Sequence, residues 1–101
     1  MITHAVVFRF HDSTSPEAVD RLSNALDTLP IAIPEIVTLH HGRDLDLVEG
    51  SWDYGLVATF ASTTDYQAYG SHPAHLEVIS DAVTTILANL ARVQFSSPVA
   101  S

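Results

Sequence analysis

The chain has no cysteine, and this absence excludes disulfide bonds, thiolate nucleophiles and cysteine-based zinc sites. A reducing compartment is compatible with it, and we expect a cytoplasmic protein. Basic residues are also scarce, since four Lys and Arg stand against 12 Asp and Glu, which gives a formal net charge of -8. That charge opposes binding to phosphate backbones and anionic membranes, so we expect neither nucleic acid nor a membrane as a partner.

The signature sequences of several protein classes are missing as well. The chain has no glycine-rich phosphate loop and no Gly-x-Ser-x-Gly motif, so nucleotide hydrolysis and serine-esterase chemistry are unsupported. It has no apolar run as long as a membrane span, and residues 1–10 lack the basic leader of a signal peptide. His40 and His41 are neighbours on a predicted strand and point to opposite faces, so they cannot hold one metal ion together. We expect neither a metal nor a cofactor.

Apolar residues are what the chain has in quantity. They make up 47% of its 101 residues, whereas charged residues make up only 16%, which suits one domain with a substantial core. We place this domain at residues 1–96 and treat 97–101 as a C-terminal tail that has no reason to be ordered. In so small a domain the surplus of apolar residues also predicts an apolar surface that pairs with a second copy.

The apolar pattern predicts an α+β fold with the order strand, helix, strand, strand, helix, strand. Strands are predicted over 2–10, 35–41, 54–60 and 91–95, helices over 16–29, 63–69 and 73–90, and a connector over 31–34. Ser15 is the predicted N-cap of the first helix and Pro16 its first residue. This order is the ferredoxin-like arrangement, a four-stranded antiparallel sheet with helices on one face. Ala5, Val7 and Val57 make the other face too apolar for water, so we expect two sheets to pair in a homodimer.

The stretch from Tyr69 to His75 is where side chains able to move protons converge. It holds Tyr69, His72 and His75 around Pro73, the predicted first residue of the long helix. Close to a helix N-terminus, His75 would feel the partial positive charge of unpaired backbone N–H groups, which keeps the ring neutral near pH 7 and able to act as a general base. The local sequence also fits a simpler interpretation, in which His72 caps the helix and His75 packs half-buried.

Strand alternation adds partners to this stretch. If the His4 face of the first strand and the Tyr54 face of the third strand both point at the helices, the two residues can surround one cavity with Tyr69 and His75. A mostly apolar cavity with a few convergent polar groups is typical of a small-molecule site. The alternative is that these rings fill the core and hydrogen-bond one another. Besides Tyr69 and His75, the predicted ligand-contacting residues are His4, Val6, Phe8, Leu22, Leu26, Leu39, Tyr54, Leu56 and His72.

Four fragments follow one another in a characteristic order and spacing. They are His4-Ala5-Val6-Val7-Phe8-Arg9-Phe10, Ile33-Pro34-Glu35-Ile36, Gly42-Arg43-Asp44, and the region from Tyr54 through Tyr69 to His72-Pro73-Ala74-His75. Together they make the chain resemble the stress-responsive A/B barrel, or Dabb, family of the dimeric α+β barrel superfamily. The resemblance covers nearly the whole chain. It implies a ferredoxin-like subunit and a homodimeric barrel.

The functions that this resemblance implies are less uniform than the fold. Many members are described only as stress-induced, whereas a plant member cyclises a linear polyketide thioester by an aldol reaction. The catalytic histidine and tyrosine of that cyclase align with His75 and Tyr69, and a histidine of its pocket aligns with His4. Two pocket positions depart, because a tyrosine is replaced by Leu26 and a histidine by Tyr54.

We therefore expect a homodimer that binds a small, largely apolar, oxygen-bearing molecule of polyketide-like or phenolic kind. The leading hypothesis is an aldol-type cyclisation or a related carbon-acid reaction, with His75 as base and Tyr69 as its partner. The alternative is a non-catalytic stress-response or ligand-binding protein, in which the same side chains contribute hydrogen bonds and packing only.

Overall fold

The computed structural model describes residues 1–98 as one sheet covered on one side by helices. The strands are β1 (Ile2–Phe10), β2 (Ile36–Arg43), β3 (Tyr54–Phe60) and β4 (Leu87–Ser96), and the helices are α1 (Pro16–Asp27), α2 (Leu29–Ala32), α3 (Thr63–Ser71) and α4 (Pro73–Val78), which continues into a π-helical segment (Ile79–Val83). The predicted ferredoxin-like α+β class is confirmed. Among the described residues, no helix is both long enough and apolar enough to cross a bilayer.

All strand pairs are antiparallel, and the strand order is β2-β3-β1-β4. His4 of β1 lies opposite Ala58 of β3 and Gln94 of β4, and Val6 lies opposite Arg92 of β4. Because side chains alternate between the two faces, these β1 and β4 residues share the helix-facing side. The other face carries exposed apolar side chains, namely Val7, Val57, Val93 and Phe95.

The first helix begins where the sequence predicts. The Ser15 hydroxyl accepts a hydrogen bond from the Ala18 N–H at 3.1 Å, and Pro16 occupies the first turn, where no intrahelical N–H is needed. Leu22 and Leu26 lie on the buried face of α1 and are 0% and 4% exposed. The helix is thus held by a local cap and by an apolar face that packs on the sheet.

Two predicted boundaries in the middle of the chain were wrong. The predicted connector over 31–34 starts inside α2, because Pro30 lies in the first turn of that short helix, a position that proline tolerates. The second strand was predicted to end at His41, yet β2 continues two residues further. Gly42 does not end it, since it stays paired with Gly55 of β3.

The predicted helix over 73–90 was wrong in its second half. α4 has only six residues, the π-helical segment has five, and β4 begins at Leu87, four residues earlier than predicted. The π geometry shows in the bond from the Thr84 N–H to the Ile79 carbonyl at 3.0 Å, and the Thr84 hydroxyl donates to the same carbonyl at 2.7 Å. Leu87 and Leu90 continue the helical spacing, but both pair with β1, so this segment forms a strand.

The end of β4 is tied to the start of β1. The Ser97 N–H donates to the Met1 carbonyl at 2.9 Å, and the Thr3 hydroxyl donates to the Ser97 hydroxyl at 2.6 Å. The predicted tail over 97–101 is therefore attached at its first residue. Residues 99–101 lie outside the described residues.

Candidate active site

A cavity of about 420 Å³ lies between the helix-facing side of the sheet and the layer formed by α3, α4 and the π-helical segment. Its wall is mainly apolar, and its polar groups are two imidazoles, two phenols and one guanidinium. Such a wall suits a small organic ligand. Of the residues predicted to contact a ligand, the wall contains His4, Val6, Phe8, Leu26, Leu56, Tyr69 and His75.

A second hollow of about 450 Å³ lies beside the loop between β2 and β3 and is lined in part by Leu45, Leu47 and Trp52. Its wall contains no histidine. Two imidazoles and two phenols converge in the first of these two cavities, so that cavity is the candidate site.

The junction of α3 and α4 sets Tyr69 beside His75. His72 ends α3 and caps α4, because its Nδ1 accepts a hydrogen bond from the Ala74 N–H at 3.1 Å. Pro73 follows as the first residue of α4. This tight turn leaves the ring centroids of Tyr69 and His75 only 4.2 Å apart. The predicted capping role of His72 is confirmed.

His75 is a neutral imidazole with a free lone pair. Its Nδ1 lies 3.2 Å from the Gly70 carbonyl, and a carbonyl only accepts, so Nδ1 carries the hydrogen and Nε2 is left as a base. Burial lowers the pKa of His75 below its ordinary value, the hydrogen bond to Gly70 opposes this, and the nearby His72 lowers it further. The expected neutral state therefore rests first on burial, rather than on the helix N-terminus that the sequence suggested.

The His4 ring has the opposite tautomer to the His75 ring. The side-chain amide of Gln94 donates to Nδ1 of His4 at 2.9 Å, so the neutral ring carries its hydrogen on Nε2. Burial lowers the pKa of His4 to about 4, and repulsion from His75, when that ring is protonated, and from Arg92 acts in the same direction. His4 is 5% exposed. At neutral pH the site therefore offers one imidazole N–H from β1 and one imidazole lone pair from α4.

The Tyr69 phenol keeps its proton at neutral pH and can donate a hydrogen bond. Burial raises the pKa of this phenol to about 12, and the neighbouring Tyr66 contributes in the same direction. The ring packs against Phe60 at 5.1 Å and His4 at 6.0 Å between centroids, and only 3% of Tyr69 is exposed. Aromatic packing from three elements thus fixes the phenol beside His75.

Four of the predicted ligand-contacting residues do not line the cavity: Leu22, Leu39, Tyr54 and His72. Leu22 and Leu39 pack into the core beside it. Tyr54 is kept out of the wall by the register of the strands. In the register of β1 and β3, Tyr54 lies opposite Phe8, whereas His4 lies opposite a residue four positions further along β3, roughly 13 Å away at 3.3 Å per residue.

The Tyr54 hydroxyl is also held elsewhere. It lies 2.7 Å from Nδ1 of His41, whose Nε2 lies 2.7 Å from the Asp27 carboxylate at the end of α1. A carboxylate only accepts, so His41 donates to Asp27 and accepts from Tyr54. Burial raises the pKa of Tyr54, which keeps this hydroxyl protonated as the donor. This chain of hydrogen bonds fastens α1 to the sheet.

Sequence reasoning missed part of the cavity wall. Tyr66 lines it and could have been found, because it lies one helical turn before Tyr69. Arg92 also lines it, and it lies within the strand predicted over 91–95, but its place beside His4 depends on strand pairing. The π-helical segment contributes further wall through Ile79 and Val83, which a continuous α-helix would orient differently.

The residues available for chemistry are the polar groups of the cavity itself. Across residues 1–98, no three His, Cys, Asp or Glu side chains are grouped so as to hold a metal ion. None of the described residues that line the cavity carries a carboxylate. Proton transfer by His75, with donors at His4 and Tyr69, is the chemistry that this arrangement supports.

Comparisons of the chain with a family model and with known proteins agree on one family. The model of the stress responsive A/B barrel domain matches residues 2–97. A stress-response A/B barrel domain-containing protein of Arabidopsis thaliana is 29% identical over 101 residues, which cover 97% of this chain and 86% of that protein.

Two solved structures are similar over nearly the whole chain. A dimeric ferredoxin-like protein of unknown function from Thermobifida fusca has a TM-score of 0.88 at 34% identity, covering 95% of this chain and 90% of that chain. A hydroxynitrile lyase from Passiflora edulis has a TM-score of 0.82 at 18% identity, covering 93% and 90%, and this likeness is one of fold alone. Because the family match spans all four strands and every helix, the chain belongs to the stress-responsive A/B barrel domain family.

Proposed function

We propose that the protein acts in the cytoplasm as a homodimer that binds a small, largely apolar, oxygen-bearing molecule, polyketide-like or phenolic, and catalyses an aldol-type cyclisation or a related carbon-acid reaction. The observation that carries the proposal is the pair of neutral imidazoles with opposite tautomers in one apolar cavity. His75 offers a lone pair and His4 offers an N–H. A carbon-acid reaction needs a base for the C–H and a donor for the oxygen that becomes an enolate.

The proposed reaction begins at Nε2 of His75. This nitrogen removes a proton from a carbon between two carbonyl groups, and the electron pair of the C–H bond moves onto a carbonyl oxygen, which accepts a hydrogen bond from His4. The enolate carbon then attacks a ketone carbon of the same chain, which forms a C–C bond and leaves an alkoxide. The alkoxide takes the proton back from the His75 imidazolium, so the base ends neutral.

Tyr69 has the role of a donor and orienting group. Because the pKa of its phenol is raised to about 12, it keeps its proton at neutral pH. With its ring 4.2 Å from that of His75, it restricts the orientation of the imidazole and can donate to an oxygen bound beside the base. Fixed donors of this kind stabilise developing negative charge without reorganisation.

The homodimer is supported by the outer face of the sheet. Val7, Val57 and Val93 on this face are 41%, 43% and 55% exposed in the single chain. Pairing two such faces would remove these side chains from water. The Thermobifida fusca protein with the same fold is described as dimeric.

Conversion of a linear 3,5,7-trioxo thioester of N-acetylcysteamine tests the proposed reaction. We expect the wild type to form the aldol-cyclised product faster than buffer, and the His75→Gln variant to lose at least about 100-fold in rate, since a general base contributes that much or more. Tyr69→Phe keeps the aromatic packing and should lose less. Product is measured by liquid chromatography with mass spectrometry.

His11→Gln is the matched control, because it removes an exposed histidine outside the cavity wall. It should retain the wild-type rate. An undiminished rate in His75→Gln, or an equal loss in His11→Gln, would contradict the assignment of the base.

Ligand binding without turnover is the second candidate function. It is favoured by the end of the cavity near α1, where Leu26 contributes only apolar surface and the Tyr54 hydroxyl is engaged by His41. Fewer groups are then free to position a long substrate for attack. Saturable binding of the thioester with no product in the wild type would decide for this candidate.

A further inference from the structure

Among the described residues, Arg92 is the one permanently charged side chain in the wall of the cavity. It lies on the helix-facing side of β4, opposite Val6 and two residues before Gln94, which holds the His4 ring. Arg92 and His4 are therefore diagonal neighbours on paired strands, a relation that sets two residues roughly 7–8 Å apart, with their Cβ atoms somewhat closer. A ligand that contacts His4 is within reach of the guanidinium.

No carboxylate within residues 1–98 forms an ion pair with this guanidinium. Two other arginines of the chain are engaged, since Arg43 bonds to Asp20 at 2.7 Å and Arg9 lies over the Trp52 ring at 4.9 Å. Arg21 of α1 is also without an ion pair among the described residues, so Arg92 is distinguished by its place in the cavity wall. Its charge is therefore available to a molecule bound in the cavity.

The other polar groups of the wall favour an acceptor-rich ligand. Besides the lone pair of His75, the cavity presents the N–H of His4, which only donates, and the hydroxyls of Tyr66 and Tyr69, which can donate as well as accept. Within residues 1–98, the cavity wall has no acidic side chain that would attract a ligand cation. The net charge of the chain repels dianions and polyanions more than it repels a single negative charge. One guanidinium fork also matches one planar carboxylate.

We propose that Arg92 binds a carboxylate of the ligand, so that the site selects apolar keto or phenolic acids over their uncharged counterparts. This inference rests on the proposed function, because it requires the ligand to lie in this cavity. The ligand carboxylate would contact Arg92, and the apolar part of the ligand would pack against the apolar side chains of the cavity wall. An oxygen-bearing carbon near the carboxylate would then lie beside His4, on the path to His75.

Isothermal titration calorimetry with 4-pentylbenzoate and 4-pentylbenzamide tests the proposal, because the two probes share one shape and differ in charge. We expect the wild type to bind the benzoate about fivefold more tightly at low ionic strength, the range of a partly exposed ion pair, and the preference to shrink as salt is added. Arg92→Met should abolish the preference by weakening the benzoate alone. Arg92→Lys, which keeps the charge without the fork, should retain part of it.

Arg21→Met is the matched control, because it removes the same charge from an exposed position of α1 outside the cavity wall. It should keep the wild-type preference. Equal affinity of the wild type for both probes, or an unchanged preference in Arg92→Met, overturns the role of Arg92 and leaves the cavity as the ligand site. If Arg92→Met loses affinity for the benzamide as well as for the benzoate, the proposal is also overturned, since Arg92 would then support the cavity wall. Failure of the wild type to bind either probe removes the cavity proposal itself.

Discussion

At the scale of single residues, hydrogen-bond partners decide what each histidine can do. The Gly70 carbonyl leaves His75 with a lone pair on Nε2, and the Gln94 amide leaves His4 with a hydrogen on Nε2. His41 differs from both, because each of its ring nitrogens is engaged within the fold. Three half-buried or buried imidazoles thus divide into a proposed base, a proposed donor and a structural link.

The buried state of His4 predicts how stability depends on pH. Its pKa is lowered from 6.5 to about 4 in the folded chain, so between these values the unfolded state binds more protons than the folded state. Stability should therefore fall as the pH falls through this window, and the lowered pKa of His75 acts in the same direction. Urea unfolding at pH 7 and pH 5 measures the effect.

The His4→Gln variant separates the effect of this histidine on stability from the effect of acidic residues, which also change their protonation at low pH. The variant should lose less stability than the wild type between pH 7 and pH 5, because it has no imidazole to protonate in the unfolded state. An equal loss in both proteins would show that His4 does not contribute.

At the scale of elements, the sequence predicted correctly those boundaries whose signal lies in adjacent residues. β1 and the start of α1 were predicted correctly, because strand alternation and the Ser15 cap are properties of adjacent residues. The start of β4 was missed, because Leu87 and Leu90 fit a helix as well as a strand, and only pairing with β1 separates the two. Arg92 lay within the predicted strand, but its place beside His4 follows only from the pairing of β4 with β1.

The start of β4 and the place of Arg92 both depend on strand pairing, whereas Tyr66 could have been found from helical spacing. The grouping of His4, Tyr69 and His75 could be predicted from strand parity and family resemblance. The exclusion of Tyr54 could not, since it follows from the register of β3 on β1 and from the bond to His41.

The π-helical segment gives a prediction at this scale. The Thr84 hydroxyl and N–H both donate to the Ile79 carbonyl, so Thr84→Val removes one of two bonds to that carbonyl without changing the side-chain shape. We expect a loss of about 1 kcal/mol in the free energy of unfolding, measured by urea unfolding. Thr85→Val, an exposed neighbour, should change it by less. A Thr84→Val variant as stable as the wild type would contradict this account of the segment.

At the scale of the whole molecule, the two faces of the sheet have different partners. The helix-facing side is covered by helices and encloses the cavity, whereas the outer side leaves apolar side chains exposed. A four-stranded sheet with helices on one face leaves its other apolar face to be covered by something else. The proposed homodimer covers it with a second copy of the same face.

Val57→Glu tests this pairing, because it places a charge on the outer sheet face. We expect the variant to sediment as a monomer at concentrations where the wild type is a dimer, since a buried unpaired carboxylate is costly. Ile31→Glu is the control, a substitution at an 88% exposed residue in the helical layer. Analytical ultracentrifugation measures both. A Val57→Glu dimer as stable as the wild-type dimer would place the interface elsewhere.

The most direct test of the cavity as a ligand site with His75 as its base is a long-range ¹H–¹⁵N correlation spectrum of the histidine rings at pH 7, with and without 4-pentylbenzoate. We predict neutral His75 and His4 with hydrogens on Nδ1 and Nε2 respectively. The ligand should shift the Nε2 resonances of both rings and leave exposed His11 unchanged. A charged His75 ring, a shared tautomer, or rings that do not respond to the ligand would contradict the account.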